Sequence, residues 1–209
     1  MEHKEAAITT ILQILVSPRP QAFSRRVARD VVAGLVARHP GARIVTRDLV
    51  AEPPPHPDVD LYEAILSPTP DDDPRFALSE RYIAELEAAD FVVIGTPVNN
   101  FTVPSSLKAW IDHIVRIRRT FRSTPQGKIG MLRDRPLIVV SAHGGYVTIP
   151  PVQPDFLTDY VKTIFETIGI SRIDFLRLEG MSRGPEAVAR ALDLAQSWID
   201  RRLPELAGS

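Results

Sequence analysis

The strongest constraint in this sequence is a regular alternation between short apolar runs and longer segments with helical spacing. Five apolar runs of strand length are each followed by a segment whose apolar residues recur every three or four positions. The predicted strands cover residues 8–17, 42–50, 91–95, 136–145 and 172–180, and the predicted helices cover 24–40, 75–90, 104–117, 155–170 and 185–203. Strands joined through helices form a parallel sheet, because each right-handed crossover needs a helix. The sequence therefore predicts an α/β domain with helices on both faces of a parallel sheet.

Five such strands favour a flavodoxin-like, doubly wound sheet with the strand order 2-1-3-4-5. Ligands of these sheets bind beyond the carboxyl ends of the strands, at the point where the strand order reverses. The loops after strands 1, 3 and 4 meet there, and they read SPRPQAFS (17–24), TPVNNFTVP (96–104) and SAHGGYVT (141–148). We therefore expect these three loops to form one binding site.

Length and composition fit a single domain over residues 1–209, which is long enough to bury a substantial core. Residues 1–7 are expected to form a disordered tail ahead of the first strand. Residues 51–74 hold seven prolines and a run of three aspartates, so we expect a loop or an excursion from the domain.

Charge and cysteine content exclude several classes of function. A net charge of −1 gives no global attraction to nucleic acid or to an anionic membrane surface, and no apolar run is long enough to cross a bilayer. The absence of cysteine excludes disulfides, thiol catalysis and thiolate metal ligands, and it fits a cytoplasmic protein. A metal site is not expected, since His143 is the only histidine in the three loops.

The loop after the first strand offers groups that suit a phosphate. It leads into the first predicted helix, whose free amides and dipole attract anions. Ser17 and Ser24 add hydroxyl donors, and Arg19 adds a positive charge. The glycine patterns of dinucleotide and triphosphate sites are absent. The alternative is that Ser24 only caps the helix.

The loop after the third strand suits the polar edge of a flat ring. Asn99 and Asn100 can both donate and accept hydrogen bonds, and Phe101 can pack near a ring. Alternatively, the asparagines occupy turn positions that need a positive φ, and the phenylalanine fills the core.

The loop after the fourth strand contains Gly144 and Gly145, which allow close approach of the backbone to a flat ligand. His143 titrates near neutrality and is a candidate for a hydrogen bond or a proton transfer, although a surface histidine in a strand-end turn is the alternative. Together the three loops provide phosphate donors, ring-edge amides and a glycine platform, which are the groups that FMN needs.

Four stretches of the chain resemble the FMN-dependent NAD(P)H azoreductases and quinone reductases of the flavodoxin-like fold. They are SPRPQAFSRR (17–26), TPVNNFTVPSSLKAWIDHIVRIRRTFRST (96–124), SAHGGYVT (141–148) and EGMSRGPE (179–186). The resemblance covers about residues 8–200, and the stretch over residues 96–124 is its most specific part.

The resemblance implies a homodimer with FMN at each of two sites in the subunit interface. NADH or NADPH would pass hydride to N5 of the flavin, and the reduced flavin would give two electrons to a quinone or an azo compound in a ping-pong reaction. The flavin carries this chemistry, and His143 is a candidate proton donor.

The resemblance and the loop chemistry together assign site residues. Those expected to contact FMN are Ser17, Arg19, Ala22, Phe23, Ser24, Pro97, Val98, Asn99, Asn100, Phe101, Ala142, His143, Gly144 and Gly145. Tyr146 and Phe121 are expected on the substrate side, the latter from the partner subunit. The sequence departs from the family where Asn99 replaces a tyrosine, His143 an arginine and Ala22 a serine, and its first loop is one residue shorter.

Two other functions remain open from the sequence. One is a flavodoxin-like electron carrier or flavin-binding module without nicotinamide turnover, although such carriers are usually strongly acidic. The other is a scaffold that has lost the flavin. A cluster of arginines near Phe121 either attracts an anionic substrate or serves as a solvated face or a source of dimer salt bridges; its members are Arg116, Arg118, Arg119 and Arg122.

Overall fold

A five-stranded parallel sheet forms the centre of the computed structural model, which describes residues 8–207. The strands of the described chain are β1 (Thr10–Leu15), β2 (Arg43–Asp48), β3 (Phe91–Pro97), β4 (Phe121–Thr124), β5 (Gly127–Gly130), β6 (Leu137–Ala142) and β7 (Ile173–Leu178). The main sheet has the order β2-β1-β3-β6-β7 with every pair parallel, which confirms the predicted flavodoxin-like order. The predicted disordered tail over residues 1–7 lies outside the described residues.

Helices cover both faces of this sheet. They are α1 (Phe23–Arg38), α2 (Val59–Leu66), α3 (Ala77–Ala88), α4 (Ser105–Ile114), α5 (Phe156–Ile168) and α6 (Pro185–Ala207), with a short 3-10 turn at Pro74–Phe76. Helices α1 and α6 bury their apolar residues on one face, and α3, α4 and α5 bury theirs on the other. None of the helices in the described residues has both the length and the apolar character needed to cross a membrane.

The central strands are apolar throughout because both of their faces are covered. In β1, Leu12 and Ile14 pack against the core of α3, α4 and α5, whereas Ile11 and Leu15 pack against the core of α1 and α6. β2 lies at the edge of the sheet and is largely exposed or half-buried, which explains its imperfect alternation. Continuous apolar runs therefore mark the strands that bring the site loops together.

The structure contains two elements that the sequence did not predict. A helix, α2, lies within residues 51–74; Asp58 caps it by accepting from the Leu61 amide at 2.9 Å, and Leu61 and Ala64 pack on Phe76. An antiparallel hairpin of β4 and β5 follows α4, with four residues in each strand.

Two predicted helix ends were wrong. Helix α4 ends at Ile114 instead of residue 117, because the Thr120 hydroxyl donates to the Ile114 carbonyl at 2.7 Å and accepts from the Arg116 amide at 2.9 Å. Helix α6 continues past residue 203 through Pro204, since Leu203 and Leu206 are both buried against the core.

Three arginines of the cluster near β4 form ion pairs or hydrogen bonds with other residues of their own chain. Arg116 is buried, forms ion pairs with Asp71 and Glu80 at 2.6 and 2.7 Å, and stacks 3.9 Å from the centre of the Phe76 ring. Arg119 pairs with Glu80 and Glu87. A further contact joins Arg118 to the Ile65 carbonyl at 2.9 Å. Arg116 and Arg118 therefore fasten residues 51–76 to the domain, Arg119 binds α3, and Arg122 is exposed on β4.

Candidate functional site

Two neighbouring cavities lie beyond the carboxyl ends of β1, β3 and β6. The α1 cavity, of about 440 Å³, is lined by Ser17, Pro18, Arg19, Gln21, Ala22, Phe23, Ser24, Pro97, Val98, Asn99, Ala142, Gly144, Met181 and Ser182. The β6 cavity, of about 280 Å³, is lined by Val98, Asn100, Phe101, His143, Gly144, Val147, Gln153 and Pro154. The two cavities share Val98 and Gly144, so the three predicted loops do converge on one region.

The start of α1 presents a hydroxyl without a protein partner. Ala22 is the residue that caps the helix, and it makes no side-chain cap bond, so Ser24 is the second helical residue and not the cap. The Ser24 side chain is fully buried, and within residues 8–206 its Oγ has no hydrogen-bond partner. An orphaned hydroxyl beside free helix amides fits an anionic group of a ligand.

Arg25 fixes the shape of this loop, a role that the sequence did not reveal. Its Nε donates to the Ser17 carbonyl at 2.7 Å, and its two terminal nitrogens donate to the Asp48 carboxylate at 2.7 and 2.8 Å. Hydrogen bonds from Arg25 lower the pKa of Asp48 to about 2, with burial opposing them. The contact joins the ends of β1 and β2, which lie far apart in the sequence.

The loop after β3 forms a tight turn with two left-handed residues. The backbones of Asn99 and Thr102 exchange hydrogen bonds of 3.0 Å, while Asn100 and Phe101 have φ values of 49° and 69°. Asparagine tolerates this conformation well, and phenylalanine does not. The Phe101 ring does not fill the core: it is 47% exposed and borders the β6 cavity.

The loop after β6 buries its histidine. The Nε2 of His143 shares a hydrogen bond of 2.9 Å with the Ser141 hydroxyl, so this is not a surface residue. Burial lowers the pKa of His143; Asp155 and Glu179 act to raise it and Arg177 to lower it further. The neutral imidazole therefore prevails at pH 7.

The segment after β7 holds the glycine loop in place. The amides of Gly180, Met181 and Ser182 donate to the carbonyls of Gly145, His143 and Gly144 at 2.8, 3.0 and 3.0 Å. Met181 and Ser182 also line the α1 cavity. Their only signal in the sequence was the EGMSRGPE stretch, whose position across the sheet from the glycines becomes evident only in the fold.

Three predicted site residues lie outside both cavities. Gly145 is buried next to the Gln153 side chain. Tyr146 packs against Gly180 and borders a separate cavity with Arg177 and Arg190. The Phe121 ring lies in the hairpin, 8% exposed, with the Lys128 ammonium 5.1 Å from its centre. Its role over a partner subunit's site stays a prediction, and in its own chain the ring is already largely covered.

Comparison with known proteins agrees with this architecture. A family model described as the flavodoxin-like fold matches residues 9–203. The chain belongs to this family. This match, together with the relatives described next, confirms the resemblance found in the sequence.

Relatives within the flavodoxin-like family cover nearly the whole chain. FMN-dependent NADH:quinone oxidoreductase 2 of Cupriavidus pinatubonensis is 46% identical over 194 residues, which span 90% of this chain and 94% of the relative. FMN-dependent NADH:quinone oxidoreductase 4 of Pseudomonas fluorescens is 43% identical over 92% of this chain and 94% of its own length. The crystal structure of an azoreductase from Bacillus anthracis strain Sterne superposes with a TM-score of 0.79, at 25% identity over 96% of this chain and 98% of that one.

Proposed function

We propose that this protein is an FMN-dependent NADH:quinone oxidoreductase that also accepts azo compounds. The structural observation that carries the proposal is the buried Ser24 hydroxyl at the start of α1, which has no hydrogen-bond partner in the described part of the chain and lies beside the loop that follows β3. The similarity to named NADH:quinone oxidoreductases and to an azoreductase supports the reaction type.

The residues of the α1 cavity fit FMN. Ser24, Ser17 and the free amides of α1 would hold the phosphate, since they combine hydroxyl donors with the positive end of a helix. Asn99 and the backbone of Pro97 and Val98 would border the ring. When bound, FMN supplies two-electron transfer from a nicotinamide to an acceptor.

The β6 cavity would receive NADH and the acceptor in turn. Asn100 and Phe101 border one side of it, and the buried, neutral His143 borders another. A neutral histidine keeps the cavity free of a fixed positive charge, which suits uncharged quinones. We propose a ping-pong order on this basis, because one compartment serves both substrates; initial rates at several NADH concentrations should give parallel reciprocal plots.

A visible spectrum of the purified protein, recorded without oxygen before and after adding NADH, tests the function. We expect flavin bands that bleach on addition of NADH and return when a quinone is added. Flavin bands that NADH leaves unchanged would favour an electron carrier. Protein that stays colourless after incubation with FMN would contradict the proposal and favour a scaffold without flavin.

A further inference from the structure

One wall of the β6 cavity is a segment, residues 146–154, that closes on itself. The Gln153 amide donates to the Tyr146 carbonyl at 2.8 Å, and Tyr146 also forms a β-bridge with Val152. The Glu179 carboxylate accepts hydrogen bonds from the Val147 amide at 2.9 Å and from the Thr148 amide and hydroxyl at 3.1 and 2.8 Å. A residue just after β7 therefore fixes the wall.

The Gln153 side chain occupies the space that a glycine leaves open. A Cβ at Gly145 would collide with the Gln153 carboxamide, whose Nε2 lies 2.8 Å from that position. The glycine thus makes room for Gln153. Within the described residues the carboxamide makes no hydrogen bond, so its donor and its acceptor are both available to a ligand in the cavity.

The β6 cavity has a distinct chemical character. Among the residues that the structure describes, no carboxylate, ammonium or guanidinium group lines it, and its His143 is neutral at pH 7. Its polar side chains besides His143 are the carboxamides of Asn100 and Gln153, next to the exposed ring of Phe101. Such a lining suits an uncharged, flat ligand with carbonyl oxygens that accept hydrogen bonds.

We infer that Gln153 is a specificity-determining residue that donates through Nε2 to a carbonyl oxygen of the quinone, and that Glu179 is the residue that positions it. This inference rests on the proposed function. The nicotinamide carboxamide of NADH offers a donor as well as an acceptor, so it can pair with either end of the Gln153 side chain.

The test is a titration of the oxidised, FMN-loaded protein with 1,4-naphthoquinone, followed through the flavin spectrum, because no turnover occurs without NADH. Gln153→Leu and Gln153→Glu both remove the donor, and each should raise the Kd for naphthoquinone about three- to tenfold. Gln153→Glu keeps an acceptor for the nicotinamide, so its kcat/KM for NADH should fall less than that of Gln153→Leu. The matched control is Gln196→Leu on the exposed face of α6, which should leave both quantities unchanged.

Glu179→Ala tests the positioning role. It should weaken naphthoquinone binding to the level of Gln153→Leu. The double variant should bind no worse than Gln153→Leu alone, because both changes remove the same hydrogen bond between Gln153 and the quinone. A merely structural role of Glu179 would instead give additive losses in the double variant.

Two results would overturn the inference. One is a naphthoquinone Kd that neither Gln153 variant changes. The other is a loss of FMN affinity as large as the loss of quinone affinity, which would make Gln153 a cofactor ligand. Failure of the wild-type protein itself to bind FMN would count against the proposed function, so the two failures are distinguishable.

Discussion

At the scale of single residues, Ser24 is expected to contribute to FMN binding and little to the stability of the fold. Its hydroxyl is buried and unpaired in the described chain, so its removal costs the fold little. We expect Ser24→Ala to weaken FMN binding by about 1.5–3 kcal/mol, since hydrogen bonds to charged groups contribute that much. The measurement is the Kd for FMN from fluorescence quenching, with a urea melt of the FMN-free protein alongside.

Ser106→Ala provides the control for this prediction, because Ser106 is likewise the second residue of a helix, α4, and borders neither cavity. It should leave the FMN Kd unchanged. If Ser24→Ala and Ser106→Ala bind FMN equally well, the phosphate does not lie at the start of α1.

Only some of the residues around the cavities could be predicted from the sequence. Ser24 and Asn100 lie in predicted loops that follow strands, so their place beside the two cavities was predictable. Glu179 was not predictable, because it reaches Thr148 only once β6 and β7 pair, and Gln153 was not, because it meets Gly145 only when the loop after β6 folds back on itself. The sequence also allowed a surface His143, whose burial depends on Ser141 and on the packing of the loop.

At the scale of elements, Arg116 fastens residues 51–76 to α3 and α4. Arg116→Ala would leave Glu80 and Asp71 without this partner and would remove the stack on Phe76. Asp71 is exposed and Glu80 is half-buried, so we expect a loss of about 2–3 kcal/mol in the free energy of unfolding, below the usual range for a fully buried pair. Urea denaturation measures the loss, and limited proteolysis should show faster cleavage within residues 51–76.

The comparison variant is Arg122→Ala, which changes an exposed arginine of β4. It should shift stability by less than about 0.5 kcal/mol. Equal stability of the two variants would show that the ion pairs of Arg116 do not hold the segment.

Elements differed in how well the sequence predicted them. In the main sheet, β1, β3 and β6 were predicted from continuous apolar runs, which follow from burial on both faces, whereas the edge strands β2 and β7 are mostly exposed or half-buried and have a weaker pattern. The β4–β5 hairpin has four-residue strands with exposed side chains, so it has no comparable apolar pattern. Helix α2 has two buried residues, Leu61 and Ala64, and its sequence lies among prolines that indicate a loop.

At the scale of the whole molecule, several of the exposed apolar side chains lie next to the β6 cavity, although others are spread over the rest of the surface. Phe156 is 62% exposed, and its amide donates to the Phe101 carbonyl at 3.1 Å, which joins the loops after β3 and β6. Ile149 and Val152, in the segment that forms the cavity wall, are also exposed. These side chains fit the homodimer with sites at its interface that the resemblance implies, since clustered apolar surface favours association.

Phe156→Glu tests that arrangement. A carboxylate at the first position of α5 suits the helix, so the fold should persist. We expect sedimentation velocity to show a dimer for the wild-type protein and a dimer Kd at least about tenfold higher for the variant. FMN affinity should fall in parallel, because each site at the interface would lose the wall that the partner subunit provides.

Ile44→Glu, on the edge strand β2 at the far side of the sheet, is the paired control and should leave the dimer intact. Dissociation caused by Ile44→Glu, with no effect of Phe156→Glu, would place the interface elsewhere.

The turn after β3 has a consequence for how this chain would adapt to heat. Phe101 holds a left-handed backbone conformation, which costs a residue with a side chain roughly 1–2 kcal/mol compared with glycine. Selection for thermostability alone would therefore replace this phenylalanine with glycine. If heat-selected variants keep the aromatic ring while they improve the rest of the chain, the ring serves catalysis or binding strongly enough to offset a permanent penalty in the backbone.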